Sequence, residues 1–116
     1  ADKLREDGSA RVLPSIVLYH YTCNKITTIN KMSPTSLKMT LRQLREGASM
    51  NLQDVLIMEY RLSQACMSGH DFYEGVRAVL IDKDQVPKWK PATLEEVTDE
   101  FVDNCFKSLG NSDLKL

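Results

Sequence analysis

Residues 69–91, reading GHDFYEGVRAVLIDKDQVPKWKP, constrain this chain more than any other stretch. Asp71 suits a helix N-cap, and Glu74, three residues on, has the spacing of a capping box. An apolar helix bearing Arg77 is predicted over 71–82, with Asp82-Lys83-Asp84 as its charged exit. Pro87 and Pro91 then forbid regular helix around the only tryptophan, Trp89. A short helix must therefore hand the chain to a stiff Lys88-Trp89-Lys90 segment.

The rest of the chain after residue 32 also reads as helices. Ser33-Pro34 is an N-cap followed by proline at the first helical position, and Gly47 supplies a stop. Between them Leu37, Thr40, Leu41 and Leu44 are expected to share the inward face. A second helix is predicted from Asn51 to Gly69, with Leu52, Val55, Leu56, Leu62 and Cys66 on one face. Ile57, Met58 and Tyr60 widen that face until the helix wants neighbours on more than one side. The last helix is predicted from Thr93, with Glu96 as capping-box partner, to Leu109, and the tail 111–116 is expected to fray.

Residues 1–32 have another character. A short charged helix ending at Gly8-Ser9 is expected first. The run VLPSIVLYHYTCNKITTI, residues 12–29, is rich in Val, Ile, Tyr and Thr, which favours extended or irregular structure. Pro14 confines any strand there to an edge. The expected organisation is thus a divergent, partly extended segment over 1–32 and a helical region over 33–116.

Length and charge exclude several function classes. At 116 residues the chain suits one small domain. Its 15 basic and 16 acidic residues give a net charge of -1, without the basic excess of a nonspecific nucleic-acid or membrane-surface binder. Cys23, Cys66 and Cys105 are odd in number and far apart, which fits neither a zinc site nor a disulfide framework and favours a reducing compartment. No transit peptide is visible at Ala1, and the longest apolar run is too short to span a bilayer.

No nucleophile–base pair, phosphate loop or metal-spaced histidine pattern is visible. His20 and His70 read as surface or helix-flanking residues, and the stripe cysteines as small core residues. Glu59 falls within the apolar face of the second helix, where a carboxylate is either a perturbed general base or one half of an ion pair. A structural pair with Arg77 is the favoured reading. Lys83, Lys88 and Lys90 around Trp89 have the composition to hold a phosphate-bearing aromatic ligand, although a tryptophan plugging the helical core is the simpler reading.

The stretch MEYRLSQACMSGHDFYEGVRAVLIDKDQVPKWKP, residues 58–91, closely resembles the C-terminal region of acyl-CoA thioester hydrolases in the crotonase (enoyl-CoA hydratase) superfamily. INKMSPTSLKMTLRQLREG, residues 29–47, and the ending FKSLGNSDLKL resemble the same proteins. The resemblance implies a mainly α fold, the helical C-terminal portion of a crotonase, with about four helices after Ser33. It implies a mitochondrial matrix enzyme of branched-chain amino acid catabolism, with coenzyme A as part of the substrate and no separate cofactor.

No residue here matches the family's catalytic carboxylates or oxyanion-hole segment. The chain alone is therefore expected to be inactive and to depend on a crotonase core as its partner, within a possible homo-oligomer. The resemblance of EGVRAVLIDK to a family helix ending near CoA phosphates puts Lys83 ahead of Lys88 and Trp89 as a substrate contact. Before Ile29 the chain is expected to depart from the family. Two rival readings are the C-terminal region of a hydratase or isomerase, and a stand-alone helical interaction module.

Overall fold

Ser33, the start signal that the sequence made plainest, performs two tasks in the protein. Its Oγ accepts from Ser36 N at 3.2 Å, capping helix α2 (Pro34–Gly47), and donates at 2.5 Å to Asp71 Oδ2 of a later helix. This comes from a computed structural model, which describes the backbone of residues 3–116 and the side chains of residues 15–116.

Two compact units divide at Met32 and Ser33. The first contains helix α1 (Lys3–Ile29), so the extended segment expected there does not form, and the helix continues through Gly8-Ser9 and Pro14. The threonines that favoured a strand reading bond backward instead. Thr22, Thr27 and Thr28 hydroxyls donate to carbonyls four residues earlier, Leu18, Cys23 and Asn24, at 2.7–2.9 Å. This satisfies each hydroxyl within the helix, so that threonine is accommodated there without an outside partner. Ile16, Val17, Leu18, Tyr19 and Tyr21 are exposed on α1.

The second unit holds α2, α3 (Leu52–Ser68), α4 (His70–Val76, continued by a π-helical turn Arg77–Ile81) and α5 (Asp99–Phe106). No strand occurs among the described residues. α3 runs between Asn51, whose Oδ1 accepts from Asp54 N at 3.0 Å, and Gly69, as its sequence predicted. α4 and α5 start elsewhere than expected. Gly69, not Asp71, is the cap position of α4. Thr98 caps α5 by accepting from Phe101 N at 3.1 Å, five residues after the predicted Thr93 start. Glu96 does reach back to Ala92 N and Thr93 N, but it closes a turn, not a helix. α5 stops at Phe106, short of Leu109.

α3 packs against α2, α4 and α5, and Met39, Met58, Leu62 and Cys105 form the core between them, with Ala65, Cys66 and Phe106 at its margin. Met39 thus replaces the expected Leu37/Leu41/Leu44 face of α2, because Leu41 and Leu44 stand exposed on the opposite side. Burial pushes the Cys66 and Cys105 thiols up, as for small apolar core residues. Around this core, Arg42 stacks on the Phe106 ring at 4.4 Å while pairing with Glu46 and Asp103. Lys38 donates to Val97 O at 2.6 Å.

The tail does not fray as expected. A single 3-10 turn, Gly110–Ser112, brings Asp113 under Arg61, which donates to both carboxylate oxygens at 3.0 Å. That pairing holds the Asp113 carboxyl down at about 2.

Candidate functional site at the end of α4

The segment leaving α4 is fixed by carboxylates on that helix. Asp71 Oδ1 accepts from Lys90 N at 2.8 Å, and Glu74 Oε1 accepts from Lys88 N at 2.7 Å. His70 lies 3.1 Å from Lys88 O, and since a carbonyl only accepts, its Nε2 carries the proton. Asp71 and Glu74 therefore do not close the predicted capping box. They act as acceptors for a strand-like segment whose own amides have no sheet to join.

Between these bonds Trp89 lies half-buried against Gly75. A Cβ at position 75 would stand 3.3 Å from the indole Cη2 and 3.6 Å from Cζ3. The absence of a side chain at Gly75 is what lets the ring approach. The Lys88 and Lys90 side chains are exposed on either side.

Arg77 is the centre of the site. Its Nε and Nη2 donate to the two oxygens of Glu74 at 2.9 and 2.7 Å, a bidentate fork. Nη1 bridges Asp82 at 2.6 Å and Asp84 at 2.7 Å, and Nη2 reaches Val86 O at 3.3 Å. The expected Glu59–Arg77 pair does not form. Glu59 is exposed and accepts from Gln43 Nε2 at 3.0 Å, while Arg77 is taken up by acids within seven residues of itself.

The backbone under Arg77 is unusual in the same place. Asp82 N donates to Arg77 O at 2.8 Å, a five-residue step that widens the last turn of α4. Lys83 and Gln85 follow with φ of 56° and 58°. For residues with a Cβ this left-handed conformation costs about 1–2 kcal/mol each. The cost is met by Gln85 N donating to Ala78 O at 3.0 Å and Val86 N donating to Asp84 Oδ1 at 2.9 Å. Lys83 stands exposed at the crest of this turn.

Arg77, with Lys88 N second, holds the Glu74 carboxyl at about 2, below its ordinary 4.5, and Arg77 lowers Asp84 as well. The Arg77 guanidinium is raised in return, by Glu74, Asp84 and Asp82 in that order. A carboxyl depressed in the folded state stabilises the fold fully above its ordinary pKa and loses that contribution as pH falls towards the folded value. Thermal melts are therefore expected to hold steady above about pH 5 and to fall between about pH 4.5 and 2. Arg77→Gln should flatten that fall; an acid limb as steep as the parent's would show that these carboxyls are not the groups responsible.

Of the other sequence candidates in the same unit, Cys66 and Cys105 belong to the core between α2, α3 and α5 and not to this cluster. His20 lies on α1, in T-shaped ring contact with Tyr19, and Cys23, Cys66 and Cys105 are free thiols. Among the described residues no group of three or more His, Cys, Asp or Glu side chains could hold a metal, and no helix is long and apolar enough to cross a membrane. The acidic clamp at Asp71, Glu74, Asp82 and Asp84 was missed as a unit by sequence reasoning. Its one available signal was four acids at spacings of three, eight and two residues around Arg77.

Beside the cluster a run of apolar side chains faces solvent. Leu80 and Ile81 are 66% and 68% exposed, with Val79 and Val86 alongside; Leu41, Leu44, Leu52 and Leu56 are exposed elsewhere in the unit.

The sequence pattern of the enoyl-CoA hydratase/isomerase family matches residues 20–106. The chain is 71% identical to the mitochondrial 3-hydroxyisobutyryl-CoA hydrolase of Gallus gallus and 64% identical to that of Homo sapiens. Each match covers 98% of this chain, so it takes in the segment before Ile29 that was expected to depart from the family. The chain spans about a quarter (27%) of the length of these curated relatives. Among solved structures, an enoyl-CoA hydratase from Rhodobacter sphaeroides superposes with a TM-score of 0.67 at 36% identity, over 72% of this chain and 25% of that one. A carnitinyl-CoA dehydratase from Mycobacterium thermoresistibile gives 0.64 at 42%, over 72% and 23%.

Proposed function

This chain belongs to the enoyl-CoA hydratase/isomerase family, and from that premise we propose that it is the C-terminal helical portion of a mitochondrial 3-hydroxyisobutyryl-CoA hydrolase. The observation that carries the reading is identity of 61–71% to proteins of that name along nearly the whole chain. The two superposed hydratase and dehydratase structures stand at 36% and 42%, which supports a shared fold more than a shared reaction.

The reaction of the complete enzyme is hydrolysis of the thioester. Water oxygen bonds to the acyl carbon, the C–S bond breaks, and the thiolate takes up a proton, giving 3-hydroxyisobutyrate and CoA. That chemistry needs donors aimed at the developing oxyanion and a base for the water. We assign both to the crotonase core, in the part of the relatives that this chain does not span, and no catalytic residue to this chain. CoA enters as substrate, and no separate cofactor is invoked. The matrix is the setting in which branched-chain acyl-CoA would be met.

The role of this region is to pack on that core and to complete the wall of the nucleotide site. The exposed apolar side chains of α2, α3 and the α4 π-turn are the surfaces it would bury, and they supply the second side that the apolar α3 requires. Lys83, exposed on a rigid turn, is the contact with the CoA phosphates, with Lys88 the second cation and Trp89 part of the support. A stand-alone interaction module is not favoured, because the covering core already accounts for the exposed apolar surface.

The test is to assay the complete protein for thiol release from 3-hydroxyisobutyryl-CoA and for hydration of crotonyl-CoA. Thiol release as the dominant reaction is expected. Hydration without thiol release would replace the hydrolase reading with the hydratase one.

A further inference from the structure

Arg77 holds its neighbours in a way that an ordinary surface ion pair does not. One guanidinium engages Glu74 on α4, Asp82 at the end of the π-turn, Asp84 beyond it and the Val86 carbonyl. The residue enclosed by Asp82 and Asp84 is Lys83, and it is held with φ of 56°. Left-handed backbone at a residue with a Cβ persists only where the surroundings over-determine it, and such strain concentrates where a side chain must be aimed. Here the determinants are visible: Arg77 Nη1 grips the carboxylates on both sides of Lys83, and Asp84 in turn accepts from Val86 N at 2.9 Å. Arg77 also supplies the positive charge beside three acids that would otherwise repel an anion at Lys83.

We propose that Arg77 is a positioning residue for nucleotide recognition: by clamping Asp82 and Asp84 it fixes the left-handed turn that presents Lys83 to the phosphates of the CoA moiety. This rests on the reading of Lys83 as a CoA contact given above. Arg77 touches no substrate atom; it acts through the turn. A lysine cannot replace it, because a single ammonium lacks the fork that spans Glu74, Asp82 and Asp84 together.

The experiment uses the complete enzyme and two substrates, the acyl-CoA thioester and the corresponding pantetheine thioester, which lacks the nucleotide and its phosphates. Lys83→Ala is expected to raise KM for the CoA thioester about tenfold, the worth of one charge-assisted hydrogen bond. Arg77→Ala and Arg77→Lys should each raise the same KM by a comparable factor, with kcat for the CoA thioester and kcat/KM for the pantetheine thioester at the parent level. Asp84→Asn, which removes one arm of the clamp at an exposed position, should produce a smaller rise in the same direction.

In the Lys83→Ala background, Arg77→Ala should add nothing further. If Lys83→Ala leaves KM for the CoA thioester unchanged, Lys83 is not a phosphate contact and the underlying reading fails. If Lys83→Ala has its effect but Arg77→Ala acts additively, or lowers kcat/KM equally for both thioesters, Arg77 is structural only and the positioning role is overturned. Full recovery of KM in Arg77→Lys would also overturn it, since charge without the fork would then suffice.

Discussion

Leu62→Ala is expected to lower the free energy of unfolding by about 2–5 kcal/mol, the range for truncating a buried leucine. Leu62 is 6% exposed in the middle of α3 and joins Met39 of α2, Met58 of its own helix and Cys105 of α5. Removing its side chain opens a space that all three helices border. Two of the neighbours are methionines, whose flexible side chains can lean into a void, so a value in the lower half of that range is expected. Urea unfolding of the 116-residue chain, followed by circular dichroism, measures it. Leu44→Ala is the control: the same atoms are lost from an exposed position, and a change within about 0.5 kcal/mol is expected. Equal effects from the two variants would mean that the core does not lie where Met39 and Leu62 place it.

Gly75→Leu should displace Trp89. A Cβ alone meets the indole edge at 3.3 Å, and the rest of a leucine side chain has no room while the ring stays in place. Overpacking of this kind costs about 1–3 kcal/mol, and up to about 1 kcal/mol of it is offset by replacing glycine within a helix. Because Trp89 is the only tryptophan, its fluorescence reports the event directly: the emission maximum should move to longer wavelength as the ring enters water. Gly75→Ala needs a shift of only a few tenths of an ångström and gains helix propensity, so its emission should match the parent's. An unshifted spectrum in Gly75→Leu would show that Trp89 does not depend on the space at Gly75.

Gly75 and Trp89 also mark the limit of what could be read from the sequence. Pro87 and Pro91 announced a non-helical segment around the tryptophan, since proline removes a donor and fixes φ whatever surrounds it. That the segment lies along α4, with Trp89 on Gly75 and its amides on Asp71 and Glu74, was not legible. The partners are 14 and 19 residues apart, and the residues themselves fit a capping box equally well. The same competition explains the missing Glu59–Arg77 pair: nearer carboxylates reached Arg77 first, in a turn whose π geometry no local pattern announced. On α1, threonines and valines suggested a strand because β-propensity depends on context, and in the helix the threonine hydroxyls are satisfied by carbonyls one turn back.

By itself the sequence determined the features set within one or two turns of chain. These are the Ser33 and Asn51 caps, the limits of α2 and α3, the non-helical segment around Pro87 and Pro91, and the family resemblance carried by residues 58–91. Each follows from the hydrogen-bonding and steric character of a few adjacent residues. Only the tertiary structure decided which apolar side chains became core, which acids became clamps, and that Arg77 gathers three of them around Lys83. Those outcomes depend on which groups meet across helices, where burial and mutual satisfaction of charge choose among pairings that the sequence leaves equal.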